Sequence, residues 1–123
     1  MRTGIVIFAH GSKLESANGA VRRVAAAMAQ AGGYDLVETA FLEGGKPDLP
    51  AAVLNLAAQG ANRLVVIPYF LTLGTHMQRD LPIIVKGILA ENPGLEISVT
   101  EPLDGHPGLE QILLDRARKA LLS

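Results

Sequence analysis

The chain of 123 residues contains no cysteine, which excludes disulfides, thiolate metal sites and cysteine nucleophiles. Any metal ion that the chain binds must therefore have nitrogen and oxygen ligands. Aromatic residues make up only 4% of the chain and the formal net charge is −1, so neither base stacking nor a basic surface favours nucleic-acid binding. No segment reaches the roughly 18 uninterrupted apolar residues that a membrane span requires.

The N-terminal residues lack the marks of a targeting segment. Met1-Arg2-Thr3 leads into a short apolar run and then His-Gly-Ser, without the length or the small-residue cleavage site of a signal peptide. We therefore expect a cytoplasmic protein. A hydrophobic fraction of 49% beside a charged fraction of 19% is typical of a globular protein, and the length predicts a single domain over residues 1–123.

Apolar runs alternate along the chain with segments of helical periodicity. The predicted strands are 5–9, 36–42, 64–70 and 96–100, and the predicted helices are about 14–31, 50–59, 82–91 and 108–121. Asp80-Leu81-Pro82 repeats the helix-start signal of Asp48-Leu49-Pro50, which leaves a loop of about eleven residues before the third helix. This order predicts an α/β fold with three layers, an open parallel four-stranded sheet of flavodoxin-like topology with helices on both faces.

Ligands of an open parallel sheet bind at the carboxyl ends of its strands. The loops predicted at that edge contain all three histidines of the chain, His10, His76 and His106. His10 is either a polar strand-end residue or an imidazole that binds a metal ion and accepts a proton. The predicted position of His76 in a long loop favours a functional role for this residue. His106 in "DGHPG" can simply shape a turn.

Glu43 ends the second predicted strand beside two glycines. It is either a solvated loop carboxylate or the partner that completes a His/His/carboxylate set for Co²⁺, Fe²⁺, Ni²⁺ or Zn²⁺. Other chemistries fit less well, because the chain has no phosphate loop, no Gly-x-Gly-x-x-Gly after the first strand and no Gly-x-Ser-x-Gly around Ser12.

Four segments resemble the small class II tetrapyrrole chelatases, the short form of the CbiX and SirB group. They are "IVIFAHGSK", "AFLEGGKPDLPAAV", "VVIPYFLTLGTHMQRDLP" and "EPLDGHPGL", and the resemblance covers essentially the whole chain. The resemblance implies a chelatase-like fold and an ATP-independent lyase that inserts a divalent metal ion into sirohydrochlorin or a related tetrapyrrole, in cobalamin or sirohaem biosynthesis. It implies that His10 and His76 are catalytic residues and metal ligands, with Glu43 as a further ligand or proton relay.

The same resemblance implies a homodimer, and we expect no permanently bound cofactor. The low net charge, the few aromatic residues and the lack of a long apolar run predict no nucleic-acid or membrane partner. Co²⁺ is the expected metal substrate, with Fe²⁺ and Ni²⁺ as alternatives. The residues expected to bind the carboxylate-rich tetrapyrrole are Lys13, Lys46 and Arg79 through charge, and Leu71, Thr72, Leu73, Gly74 and Thr75 through the ring face.

Two other functions stay open. One is a non-catalytic protein of the same fold that binds a metal ion or a tetrapyrrole. The other is a flavodoxin-like domain that binds a phosphorylated ligand at the same edge.

Overall fold

The structure is a computed structural model that describes residues 2–122, in which strands and helices alternate. The elements are β1 (Thr3–Ala9), α1 (Glu15–Gly32), β2 (Val37–Phe41), α2 (Leu49–Ala58), β3 (Arg63–Tyr69), α3 (Thr75–Glu91), β4 (Glu96–Val99) and α4 (Pro107–Leu122). The predicted order of strands and helices is confirmed. None of the helices in residues 2–122 is long and apolar enough to cross a membrane.

The four strands form one parallel sheet in the order β2-β1-β3-β4. The strand β1 lies in the interior of this sheet and is buried from Gly4 to Ala9. The sheet confirms the predicted open parallel arrangement, and its order matches the start of the flavodoxin-like order. All the loops that follow the strands therefore meet at one edge.

Alternate side chains of the strands pack against helices on opposite faces of the sheet. Val6 and Phe8 of β1 belong to the larger core, which also contains the buried side chains of α2 and α3. Ile5 and Ile7 point to the other face and pack with Ala25 of α1. The three-layer architecture predicted from the sequence is thus confirmed, with α1 on one face and α2 and α3 on the other.

The start of α2 is set by the signal that the sequence contains. The Asp48 carboxylate accepts a hydrogen bond of 2.9 Å from the backbone N–H of Ala51, and Pro50 lies in the first turn. This is an N-cap that satisfies an amide left without a helical partner.

The start of α3 is not where the sequence pattern placed it. The helix begins at Thr75 instead of residue 82, Gly74 is its N-cap, and Pro82 lies inside it. The reason is a buried stripe at helical spacing, Met77, Leu81, Val85 and Ile88, which extends through the proline. Burial of these four side chains outweighs the roughly 3 kcal/mol that an interior proline costs. The predicted long loop therefore shortens to residues 70–74.

The last helix, α4, forms close to its predicted limits but packs differently from the others. None of its residues from Pro107 to Leu122 is buried. Leu113 is 70% exposed and Leu121 is 85% exposed. The strand before it, β4, is also mostly exposed. The C-terminal end of the fold therefore presents apolar side chains to its surroundings.

Candidate functional site

The loops at the carboxyl edge of the sheet fall into two pairs. The first loop pair, residues 10–14 and 42–48, follows the neighbouring strands β1 and β2. The second loop pair, residues 70–74 and 100–106, follows β3 and β4. Each pair is held together by backbone hydrogen bonds, such as Glu43 N–H to His10 C=O at 3.0 Å and Leu103 N–H to Phe70 C=O at 2.9 Å.

Within the first loop pair, His10 and Glu43 face each other. Their Nε2 and Oε1 atoms are 3.7 Å apart, and the two side chains are 61% and 71% exposed. The other ring nitrogen, Nδ1, lies 3.3 Å from the carbonyl oxygen of Gly11. Because that oxygen can only accept a hydrogen bond, the contact favours a proton on Nδ1 and leaves Nε2 free to bind a metal ion or accept a proton.

The ring of Phe70 stands beside His10. The two ring centroids are 6.5 Å apart in an edge-to-face arrangement, and Phe70 contacts Phe8 of the core in a similar way at 6.0 Å. The imidazole is thus supported on one side by an aromatic ring that is anchored in the core. This contact also connects the first loop pair to the loop that leads into α3.

Two glycines allow the loops of the first pair to touch. Gly11 has a φ of +88°, and a Cβ there would lie 1.7 Å from the carbonyl oxygen of Glu43. Gly44 has a φ of +68°, and its Cβ would lie 2.6 Å from the carbonyl carbon of Ser12. Since no side chain fits either contact, the glycines are needed for the close approach that places Glu43 beside His10.

A cavity of about 330 Å³ opens between these loops, lined by Gly11, Ser12, Lys13, Glu43 and Gly44. It brings together two of the predicted site residues, the Lys13 cation and the Glu43 anion. The Ser12 hydroxyl accepts a hydrogen bond of 3.0 Å from the N–H of Leu14, so its part in the loop is structural. Lys46 lies on the same loop as Glu43 and is exposed.

Two carboxyl groups of this part of the molecule have shifted pKa values. Hydrogen bonds from Arg22, and secondarily from Asn18, lower the pKa of Glu15 at the start of α1. The Arg22 guanidinium also lies 5.2 Å from the centroid of the Phe41 ring. Partial burial raises the pKa of Glu38 on β2. Neither group borders the cavity.

The second loop pair leads to His76 and Arg79, which lie on the first turns of α3 and not in a loop. The His76 Nδ1 atom is 3.5 Å from Nη2 of Arg79. The Arg79 Nε–H also donates to the Asp80 carboxylate at 3.0 Å, so the charge of this arginine is partly compensated. The prediction that His76 occupies a long loop was wrong, because the helix extends back through it.

The residues expected to contact the tetrapyrrole ring lie at the entrance to α3. Leu71 is 64% exposed, and Gly74 has no neighbouring atom within 4 Å of the position of a Cβ. Leu73 lines an apolar groove of about 370 Å³ that continues along α3 past Met77. The segment from Leu71 to Thr75 is thus an accessible and mostly apolar surface.

Among residues 2–122, no three His, Asp or Glu side chains lie close enough together to bind one metal ion. The structure therefore pairs His10 with Glu43 but does not add His76 to them as a third ligand, and that role stays a prediction. The His106 Nδ1 atom accepts a hydrogen bond of 2.8 Å from the N–H of Gly108, so this imidazole shapes the first turn of α4.

The sequence pattern did not single out Asn18, which is only 1% exposed and contacts both loops of the first pair. The one local signal was an asparagine inside a helix, where its side chain usually competes with the backbone. That signal does not identify the partners, which lie six and 26 residues away.

The chain matches known proteins in family, in sequence and in structure. The model of the CbiX family matches residues 4–120. A sirohydrochlorin cobaltochelatase from Saccharolobus islandicus (strain L.S.2.15) is 32% identical over 122 residues, which cover 94% of each chain. The chloroplastic sirohydrochlorin ferrochelatase of Arabidopsis thaliana is 32% identical over 118 residues, or 96% of this chain and 52% of that one.

The structures of known proteins agree with these matches. A CbiX protein from Marinobacter aquaeolei VT8 superposes with a TM-score of 0.85 and 26% identity, covering 97% of both chains. The sirohydrochlorin chelatase SirB from Bacillus subtilis subspecies spizizenii, in complex with cobalt, has a TM-score of 0.76 at 24% identity. It covers 83% of this chain and 44% of that one, and at this identity the likeness concerns the fold.

Proposed function

Because this chain belongs to the CbiX family, we propose that it is a sirohydrochlorin chelatase, a lyase that inserts a divalent metal ion into the tetrapyrrole without ATP. One observation assigns this activity to particular residues. An imidazole nitrogen and a carboxylate oxygen face each other at 3.7 Å on the edge of the sheet where ligands of this fold bind.

Metal insertion requires three events that imidazole and carboxylate groups can serve. The ion must lose water, two pyrrole nitrogens must lose their protons, and the ion must pass from the protein to the macrocycle. His10 binds the incoming ion through Nε2 or accepts a pyrrole proton there, and Glu43 acts as a second ligand or takes up the proton. Nitrogen and oxygen ligands bind such ions less tightly than thiolates do, so the ion can leave.

His76 is proposed as the other metal ligand. Its position on the first turn of α3 places it at the same edge of the sheet as His10, and its side chain is exposed. Exposure of both imidazoles lets a flat substrate approach them directly. The Phe70 ring stands next to His10, and in the sequence Phe70 begins the loop that leads to α3 and His76.

Charge and apolar surface would bind the two parts of the tetrapyrrole. Lys13 at the cavity, Lys46 on the neighbouring loop and Arg79 on α3 are exposed and offer cations to the carboxylates of the substrate. The segment from Leu71 to Thr75 supplies an accessible surface for the ring face.

Co²⁺ is the metal substrate that we propose, with Fe²⁺ and Ni²⁺ as alternatives. The argument comes from the relatives that match over nearly their whole length, which are named cobaltochelatases, including one from Methanopyrus kandleri with 96% of its chain covered. The related ferrochelatase is matched over only 52% of its chain. Ligand chemistry does not decide the point, because imidazole and carboxylate accept all three ions.

We also propose that two copies of the chain form a homodimer, which is supported by α4. A helix of 16 residues is marginal in water unless it packs against another surface, and here Leu113 and Leu121 are exposed. A second copy would cover this apolar side. The cytoplasmic location expected from the sequence stays a prediction, which cell fractionation tests.

The direct test is the absorbance spectrum of sirohydrochlorin under anaerobic conditions. Co²⁺, Fe²⁺ or Ni²⁺ is added in turn, with and without the protein, and the rate of metal insertion is measured. We expect acceleration, with the largest effect for Co²⁺. An insertion rate unchanged by the protein for all three ions would refute the enzyme. Binding of the ion or the tetrapyrrole without acceleration would identify a carrier protein instead.

A further inference from the structure

Asn18, in the first turn of α1, is one of only two buried polar residues in residues 2–122, the other being Thr39. Within this part of the chain no buried polar side-chain atom lacks a hydrogen-bond partner. The burial of a primary amide is costly unless its hydrogen bonds are made, so its partners show what the residue does.

The side-chain amide of Asn18 is bonded to both loops of the first pair. Its Oδ1 atom accepts from the N–H of Ser12 at 2.9 Å, and its Nδ2 atom donates to the carbonyl of Ser12 at 2.8 Å. The same nitrogen donates to the carbonyl of Gly44 at 3.0 Å and makes a longer contact of 3.4 Å with Oε2 of Glu15 in the same helix. One side chain thus binds the peptide groups that lie two residues after His10 and one residue after Glu43.

Neither aspartate nor leucine can replace these bonds. An aspartate has the acceptor but no donor, and it would place a carboxylate against two carbonyl oxygens. A leucine has the same number of side-chain heavy atoms, but it is bulkier and leaves one N–H and two carbonyl groups without partners. The Cβ of any residue at Gly45 would lie 2.8 Å from Nδ2 of Asn18, so the surrounding loop is fitted to the amide.

We propose that Asn18 is a positioning residue that sets the separation between His10 and Glu43 and thereby the rate of metal insertion. It touches neither the ion nor the tetrapyrrole and acts through the backbone of the two loops. The inference rests on the proposed function for its link to the rate. Groups that orient metal ligands from behind commonly change activity or metal affinity by about 10–100-fold when they are replaced.

The test compares Asn18→Leu and Asn18→Asp with Thr39→Val, which alters the other buried polar side chain. For each variant, the unfolding temperature, the kcat and KM of Co²⁺ insertion, and the dissociation constant of Co²⁺ alone are measured. We expect both Asn18 variants to lower kcat by about tenfold or more with little change in the KM for sirohydrochlorin. Thr39→Val should change stability without changing kcat.

A double variant separates positioning from a general loss of structure. If Asn18 acts by placing Glu43 beside His10, adding Glu43→Gln to Asn18→Leu should weaken Co²⁺ binding no further than either change alone. Full additivity of the two effects would overturn the proposal. Folded Asn18→Leu protein with the wild-type kcat and Co²⁺ affinity would overturn it too, because the amide would then serve stability alone.

Two further outcomes are informative. If Asn18→Leu does not fold, Asn18→Ala leaves room for water to bond the freed backbone groups, and the same cycle is run with that variant. If the wild-type protein binds Co²⁺ but inserts none, the proposed function fails. Co²⁺ binding to the single and double variants of Asn18 and Glu43 still decides whether Asn18 positions Glu43. If the wild-type protein binds no Co²⁺, the positioning proposal is overturned as well.

Discussion

The two loop pairs at the edge of the sheet are built in opposite ways. In the first pair, backbone contacts at Gly11 and Gly44 leave no room for a side chain, and the buried amide of Asn18 ties the loops together. In the second pair, Gly74 and Gly105 have no atom within 4 Å of the position of a Cβ. The separation of the loops in the first pair is therefore fixed by contacts within the chain, whereas the glycines of the second pair have open space beside them.

Of the helices that follow the loops, α2 and α4 differ in the same direction. The ten residues of α2 include four buried ones, whereas the sixteen residues of α4 include none. The exposed apolar side of α4 offers a surface for a second copy or a substrate. The contrast shows that the first loop pair is held by contacts within the chain, and the exposed side of α4 is the surface that the proposed homodimer would cover.

The largest expected effect comes from filling the tight contact of the first pair. Gly11→Ala would place a Cβ 1.7 Å from the carbonyl oxygen of Glu43, at a φ of +88°. We expect a loss of more than about 3 kcal/mol of stability, because the loops must separate. Gly74→Ala, with a φ of −69°, should change stability by less than about 1 kcal/mol. Urea unfolding of both variants measures the difference, and equal losses would remove the contrast between the pairs.

Both pairs should nevertheless contribute a histidine to the chemistry. His10→Ala and His76→Ala should each slow metal insertion by about 100-fold or more, because each removes a ligand or proton acceptor. Both side chains are exposed, so circular dichroism and the unfolding temperature should stay near wild type. His106→Ala is the control and should keep most of the activity, since its Nδ1 atom bonds to Gly108. A large loss of folded protein in the first two variants would favour a structural role.

Substitutions on α4 test whether this helix forms the interface of the proposed homodimer. Leu113→Glu puts a charge on the apolar side of α4, and it should convert a dimer into a monomer in sedimentation experiments. Gln111→Glu adds the same charge about 200° around the helix and should leave the dimer intact. Dimers that survive Leu113→Glu would show that α4 is not the interface.

A smaller effect is expected at the carboxylate of the first pair. Glu43→Gln keeps the size of the side chain but removes its charge beside His10, and it should slow insertion by about tenfold. The measurement compares the rate of metal insertion by Glu43→Gln with the rate by His10→Ala. Equal losses in the two variants would show that Glu43 is as necessary as the histidine.

The smallest effect concerns Glu38 on β2, whose pKa is raised by partial burial. Ionisation of this carboxyl disfavours the folded state, so the penalty is present above its folded pKa and absent below the ordinary value of 4.5. Glu38→Gln should therefore stabilise the protein at neutral pH by no more than about 0.5 kcal/mol, since the carboxyl is only partly buried. Urea unfolding should show the gain disappearing as the pH falls, and a gain that persists in acid would exclude this cause.

Much of the architecture followed from local patterns. The apolar run of β1 and the helical spacing in α1 predicted their own types. Asp48 predicted the start of α2 through a cap that joins two residues only three positions apart. The positions of His10 and Glu43 at one edge also followed, because neighbouring parallel strands end together.

The error at α3 shows where local patterns stop. Asp80-Leu81-Pro82 has the same form as Asp48-Leu49-Pro50, yet the former lies inside a helix and the latter begins one. The spacing of Met77, Leu81 and Val85 was the signal that could have corrected the prediction. A helix-start signal is a property of about one turn of sequence. Whether the helix extends further toward the N-terminus depends on whether the side chains of the preceding turn are buried in the core, as Met77 is here.

The sequence by itself determined the order of the elements, the parallel sheet and the edge at which the histidines gather, because periodicity and chain order are properties of neighbouring residues. Only the tertiary structure decided that Asn18 joins two loops, that His76 lies on a helix and that α4 stays uncovered. These features depend on contacts between segments far apart along the chain, and the free energy of such contacts exists only once the segments have come together.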